Sequence, residues 1–186
     1  GRIHTIFTQT LTRTGRLSSV SPNLQNIPAR AEYSKLIRKA FVADNNSKLV
    51  SSDYSQVELR IFAHMSNATN LIQAFIDGKD IHTKTASDIY KVSMDEVTKD
   101  MRRTAKAVNF GILYGISSFG LSEDLGIDIG TAKKFIDNYL ETYPGIKEYM
   151  DKEKKDAYTY GYVKTLMNRK RVIEELQSSN FMVRSS

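Results

Sequence analysis

Apolar and polar residues alternate from Ile3 to Leu11 in a Thr-, Ile- and Phe-rich setting, a period of two that predicts a β-strand. A turn at Gly15 leads to a short segment, Arg16 to Val20. SPNLQNIP follows, where Pro22 and Pro28 dictate an extended loop. Two more short strands are predicted at Lys39–Val42 and Lys48–Ser52, separated by an Asp44-Asn45-Asn46 turn. From Ser55 the period becomes helical, with Val57, Ile61, Phe62 and Met65 on one apolar face. Further helices are predicted at Leu71–Ile76, ended by Gly78, and at His82–Tyr90 behind an Asp80 N-cap. Ser93 and Glu96 fit a capping box before the next helix, which Gly115 terminates. Thr131–Tyr143 and Ile146–Tyr158 are amphipathic, with Pro144-Gly145 between them, and Tyr162–Leu166 with Lys170–Ile173 predicts a hairpin around Asn168-Arg169. Strands at both ends and helices between them indicate an α+β fold with a helical insertion.

The helix before Gly115 carries an uncommon pattern. Arg102, Lys106, Phe110 and Tyr114 recur every four residues, and each step overshoots a turn by about 40°. They form a slanting stripe of two cations followed by two aromatics. Such a stripe suits a ligand with a polyphosphate at one end and a flat base at the other. The aromatics could instead pack into a core. Ala105, Ala107 and Val108 around Lys106 suggest a half-buried cation that needs a partner.

Composition narrows the classes. The 186 residues include no cysteine, which excludes disulfides and thiolate metal sites. No apolar run approaches the roughly 20 residues of a membrane span, and GRIHTIFTQT lacks the apolar core of a secretory signal. The net charge of +6 is concentrated near Arg2, Arg13 and Arg16, around Lys99–Lys106, and around Lys164–Arg171, pointing to a polyanionic partner. GxxxxGK[ST] and GxGxxG loops are absent, so a bound nucleotide would be held by cationic side chains and metal. Asp53 stands where a β-run meets a helix. A carboxylate there, with a neighbouring main-chain carbonyl, can hold a hard cation such as Mg²⁺. The alternative is that Asp53 only caps the helix.

These segments resemble those of one family. Asp53-Tyr54-Ser55-Gln56-Val57-Glu58-Leu59-Arg60 looks like motif A of family A DNA polymerases, and Arg102 to Gly115 like motif B on the helix of the fingers. Arg13 to Ser19 and Pro22 to Pro28 are similar to the family's upstream palm segment, and Asp80-Ile81-His82-Thr83 to a fingers motif. All occur in the family's order and extend over nearly the whole chain.

The resemblance implies a helical fingers subdomain inserted in a partial antiparallel palm sheet. Residues 1–66 would be partial palm with motif A, 67–158 fingers, and 159–186 a return to the palm. It implies DNA-directed addition of dNTPs to a primer 3′-hydroxyl, in replication and repair, in the cytoplasm. Asp53 and the Tyr54 carbonyl would bind metal in a two-Mg²⁺ site. Arg102, Lys106 and His82 would grip the triphosphate, with Lys106 placed to protonate the leaving group. Phe110 would sit against the deoxyribose and Tyr114 against the templating position or nascent pair, while Gln56 joins the dNTP site. Glu58 would exclude a ribose 2′-hydroxyl; otherwise it is a helix surface residue paired with Arg60 or His64. Arg16, Asn23, Gln25 and Asn26 would meet minor-groove acceptors of primer–template DNA. Alternatively that loop bonds to itself, with its Asn residues forming turns.

One family element has no counterpart. The sequence contains no His-Asp-Glu, the hairpin that carries the second catalytic carboxylate in such polymerases. The expectation is therefore a palm-and-fingers fragment that is inactive alone, with exposed strand edges as a route to self-association. The rival class is a nucleotide- or nucleic-acid-binding module that never catalyses.

Overall fold

Alternation in the first twenty residues does produce a hairpin, shorter than the pattern predicts. In the computed structural model, which describes residues 1–28, 32–180 and 182, β1 (Ile6–Thr8) pairs antiparallel with β2 (Ser18–Val20), Phe7 opposite Ser19. Ser19 is fully buried, and its hydroxyl lies 2.6 Å from Thr5 Oγ1 and accepts the Leu24 amide at 3.1 Å. The loop after β2 is thereby tied to the strands. It begins with a cis Ser21–Pro22 bond.

Helix α1 (Glu32–Lys39), which the pattern did not reveal, fastens to the loop when Arg38 donates to the Pro28 and Ile27 carbonyls at 3.2 and 3.1 Å. The strands predicted at Lys39–Val42 and Lys48–Ser52 do not form. Lys39 ends α1, and residues 40–54 are irregular apart from the turn, where Ser47 N–H donates to Asp44 O at 3.0 Å and Asn46 has φ 62°. A strand exists only through its ladder, and among the described residues none pairs with this stretch. Leu49 and Val50 stay 69% and 90% exposed.

The chain divides after Asp53 into two compact units. The second is mostly helical: α2 (Val57–Met65), α3 (Thr69–Ile76), α4 (Ile81–Tyr90), α5 (Lys99–Leu113), α6 (Ser118–Leu125), α7 (Ile129–Thr142) and α8 (Pro144–Tyr160). A second hairpin, β3 (Tyr162–Lys164) and β4 (Lys170–Val172), follows α8 and turns at Asn168, φ 62°. Both sheets are two-stranded and antiparallel. Cap signals read from the sequence are in place. Asp80 accepts the Thr83 amide, and Ser93 and Glu96 complete a capping box. Gly115 takes φ 74° just beyond α5, where a Cβ would be strained.

Helix α6 escaped prediction because Phe119 and Leu121 are too few to set a period. Its Ser117 N-cap and left-handed Gly126 were nevertheless readable. On α2 the buried face is Leu59, Phe62 and Ala63, with Val57 and Ile61 exposed, so the predicted face is rotated. The helix packs against α3, α5 and α8, and that geometry selects the stripe that goes inside.

The core joins residues from α2 through α8, including Leu71, Ile81, Val108, Leu121, Tyr139 and Ile146. α8 begins so near the end of α2 that a Cβ on Gly145 would lie 2.5 Å from the Ser66 carbonyl oxygen. α4 lies along α5, bringing the Asp80–Thr83 segment to the cationic end of the stripe.

Candidate nucleotide-binding face

Helix α5 exists because Thr98 caps it, accepting the Met101 amide at 3.2 Å, and because Ala105, Val108, Asn109 and Ile112 bury one face. The opposite face carries the stripe. Arg102 and Lys106 are exposed, Phe110 is half-buried, and Tyr114, the C-cap residue, is 65% exposed. Lys106 is thus not the half-buried cation its alanine neighbours suggested. Those neighbours lie on the core side, and Lys106 makes no ion pair among the described residues. The aromatic end does not dissolve into the core either. Phe110 and Tyr114 stack with centroids 6.4 Å apart and planes 19° apart.

Neighbouring elements complete the face. The Tyr114 hydroxyl donates to Glu58 on α2, a contact across 56 positions, so Glu58 is held by Tyr114. The neighbouring Arg60 has further contacts of its own. Arg60 donates to the Ser55 carbonyl at 3.0 Å and lies 4.5 Å over the Phe75 ring. Gln56, half-buried, is the N-cap of α2 and has a left-handed conformation, φ 53°.

From α4, His82 packs beside Phe110, ring centroids 5.8 Å apart. It is buried, and its Nδ1 lies 3.2 Å from the Asn109 amide nitrogen, which also donates to Thr85 Oγ1 at 3.1 Å. Burial pushes the His82 imidazole below its ordinary value, and Arg102 and Lys106 add to the push against the opposing pull of Asp80. At neutral pH the face therefore presents His82 as a neutral imidazole beside the cations Arg102 and Lys106.

Arg102 already has a partner. Its Nε and Nη2 donate to the two oxygens of Asp80 at 3.1 and 2.8 Å. The Arg102 guanidinium, aided by the Thr83 amide and hydroxyl, holds the Asp80 carboxyl far below the usual carboxylate range. Sequence reasoning found Asp80 as a cap and missed it as the partner of Arg102, which lies 22 residues away. It missed Asn109 and Thr85 beneath His82 as well. A buried polar pair on facing helices leaves no periodic signal.

The structure therefore brings together Arg102, Lys106, His82, Phe110, Tyr114 and Glu58, with Gln56 two residues before Glu58. Asp53 and Tyr54 are exposed, and Asp53 closes the first unit. Asp53 does not cap α2: the N-cap is Gln56, and no side chain caps that end. In the first unit Asn23 Oδ1 accepts the Gln25 and Asn26 amides at 3.0 and 3.3 Å, and Gln25 Nε2 donates to the Leu17 carbonyl at 3.2 Å. Asn23 is thus a turn former, its side-chain oxygen tied to those two amides. Arg16 and Asn26 are exposed on the same unit.

Among the described residues no cluster of three or more His, Asp or Glu side chains occurs. Asp53 with the Tyr54 carbonyl supplies one carboxylate and one neutral oxygen, which does not make a two-ion centre. No helix among the described residues is long and apolar enough to cross a membrane.

The chain is similar to known proteins along its whole length. The family model for DNA polymerase family A matches residues 1–186. The chain is 56% identical over 185 residues to DNA polymerase I of Bacillus subtilis, covering 99% of this chain and 21% of that protein. It is 54% identical over 186 residues to DNA polymerase I of Geobacillus stearothermophilus, again 21% of its length. The chain thus spans about a fifth of the length of the curated relatives it matches. A solved structure of the POL domain of Pol1 from M. smegmatis, in complex with DNA primer-template and dNTP, superimposes with a TM-score of 0.93 at 45% identity, covering 99% of this chain and 33% of that one. With a family match over its whole length and a fold shared with a polymerase domain, this chain belongs to DNA polymerase family A.

Proposed function

We propose that this chain is part of a DNA-directed DNA polymerase that adds dNTPs to a primer 3′-hydroxyl, and that its α5 face binds the incoming nucleotide. The observation that carries the proposal is the ordered sequence of contacts along one face: exposed Arg102 and Lys106, then buried His82, then stacked Phe110 and Tyr114, then Glu58. Two cations one turn apart suit a triphosphate whose charge grows on the leaving oxygens. Lys106, exposed and without a carboxylate partner among the described residues, is the group with a proton to give to that leaving group. Phe110 faces the sugar, and Tyr114 the templating position. Glu58, fixed by the Tyr114 hydroxyl, is a bulky acid where a ribose 2′-hydroxyl would lie.

Arg16, Asn23, Gln25 and Asn26 are assigned to primer–template DNA, through exposed donors that suit minor-groove acceptors without reading sequence. Residues 1–66 and 159–186 are assigned to a palm and 67–158 to fingers. The metal is assigned as Mg²⁺, with Asp53 and the Tyr54 carbonyl as this chain's contribution to a pair of ions. The setting is assigned to the cytoplasm, with replication or repair as the process.

A segment exchange tests the activity. Residues 1–186 are placed over the matching segment of a family A polymerase, and primer extension is measured. Extension by the exchanged enzyme and its loss in Asp53→Ala are expected. Nucleotide binding without extension in the exchanged enzyme favours the binding-module alternative. The 186-residue chain alone, with one metal carboxylate among its described residues, is expected to bind dNTP without extending a primer.

A further inference from the structure

Arg102 presents a puzzle to a triphosphate-binding face, because a carboxylate holds it by two hydrogen bonds. Asp80 Oδ1 accepts from Arg102 Nε at 3.1 Å and Oδ2 from Nη2 at 2.8 Å. Oδ1 also accepts the Thr83 amide at 2.7 Å and the Thr83 hydroxyl at 2.8 Å. The carboxylate is therefore fixed to the start of α4 as its N-cap before it meets the guanidinium. Both side chains remain nearly half exposed, so the pair lies at the surface of the face and not beneath it. Arg102 has three nitrogens, and the Asp80 fork occupies one edge, Nε and Nη2. Among the described residues nothing occupies the edge formed by Nη1 and the second hydrogen of Nη2.

Two consequences are possible, and they have opposite signs. A carboxylate beside an anion site repels the anion, so removing it should tighten binding. A carboxylate that clamps one edge of an arginine also fixes the direction of the other edge, so removing it should weaken binding. The geometry favours the second. An exposed arginine otherwise loses rotamer freedom when it binds, and here a rigid helix cap has already removed that freedom. The same cap lies two residues before His82, so one helix end sets both groups.

We infer that Asp80 is a positioning residue for polyphosphate recognition, aiming the open edge of Arg102 at the phosphates rather than competing with them. This rests on the proposal that the α5 face binds a nucleoside triphosphate. The low-lying ionisation of Asp80 agrees with a carboxylate that stays charged through any physiological pH.

The test uses the 186-residue chain and inorganic tripolyphosphate without divalent metal, titrated by calorimetry. Asp80→Asn keeps a good N-cap and removes the charge, and Asp80→Ser keeps a cap oxygen that is too short to reach Arg102. Both are expected to weaken tripolyphosphate binding about three- to tenfold, the cost of immobilising one free arginine side chain. Asp100→Asn removes an equal charge from the exposed start of α5, where Asp100 pairs with Arg103, and is expected to leave binding equal or tighter. In an Arg102→Ala background, Asp80→Asn is expected to cause no further loss, a pattern that damage to α4 alone would not give. Equal or tighter binding in both Asp80 variants, with wild-type binding intact and dependent on Lys106, overturns this inference and leaves the triphosphate face standing. Tripolyphosphate that does not bind the wild-type chain, or binds independently of Lys106, overturns both.

Discussion

The two compact units handle their apolar residues in opposite ways. From Tyr54 onward, seven helices close a continuous core around Leu71, Val108, Leu121, Tyr139 and Ile146, each essentially inaccessible to solvent. In Gly1–Asp53 the fully buried anchor is a serine, Ser19, while Ile6, Phe7, Leu36, Leu49 and Val50 lie at the surface. A helix satisfies its backbone within itself and needs neighbours only for one apolar face. An extended segment needs a ladder partner before its side chains can be sorted into inside and outside. The same chain thus contains one unit whose stability is its own and another whose extended runs are poorly satisfied among the described residues.

The contrast is most easily broken by core truncation. Leu71→Ala is expected to destabilise the chain by about 3 kcal/mol in denaturant unfolding, whereas Val50→Ala stays within about 0.5 kcal/mol. Similar costs at both positions would mean that the first unit has a hidden core. The next contrast is functional. Lys106→Ala is expected to weaken dNTP binding by roughly 10- to 100-fold, the worth of one charge-assisted contact. Arg16→Ala should spare dNTP binding and weaken primer–template binding, and a variant that impaired both ligands would argue against this division of labour.

A smaller effect is expected at Glu58. In an active polymerase containing this segment, Glu58→Ala should raise rNTP incorporation at least about tenfold, because rejection by shape is lost. Unchanged sugar selectivity, measured by competition between dNTP and rNTP, would remove that role. The smallest effect is in the pH dependence of stability. His82 is neutral when folded, because burial lowers its proton affinity, whereas the unfolded chain titrates near about pH 6.5. As pH falls below that value the unfolded state takes up the proton first, so stability should fall with it. His82→Gln should flatten the decline between pH 7 and 5, and an identical decline in both proteins would show that His82 does not cause it.

Legibility in the sequence followed the same divide. Caps at Asp80 and Ser93, the stripe on α5 and the hairpin after α8 were readable because each is set by residues within a few positions of one another. The strands predicted at Lys39–Val42 and Lys48–Ser52 do not form because a short apolar run beside a turn becomes a strand only where another strand pairs with it, and among the described residues none does. Lys106 was misjudged because its alanine neighbours belong to the opposite side of the helix. The partners of the stripe were unreadable, since Glu58 reaches Tyr114 across 56 residues and Asp80 reaches Arg102 across 22.

By itself, the sequence determined which helix carries two cations followed by two aromatics, because a period near four is a property of the backbone. It also determined the family, through motifs whose order and spacing survive without coordinates. Tertiary structure alone decided what that helix faces: α4 laid along α5 sets a carboxylate on Arg102 and a buried imidazole beside Phe110, and α2 brings Glu58 to Tyr114. The reason is range. Hydrogen bonding within a turn is written in adjacent residues, whereas packing of one helix on another is chosen by the shape of the whole core.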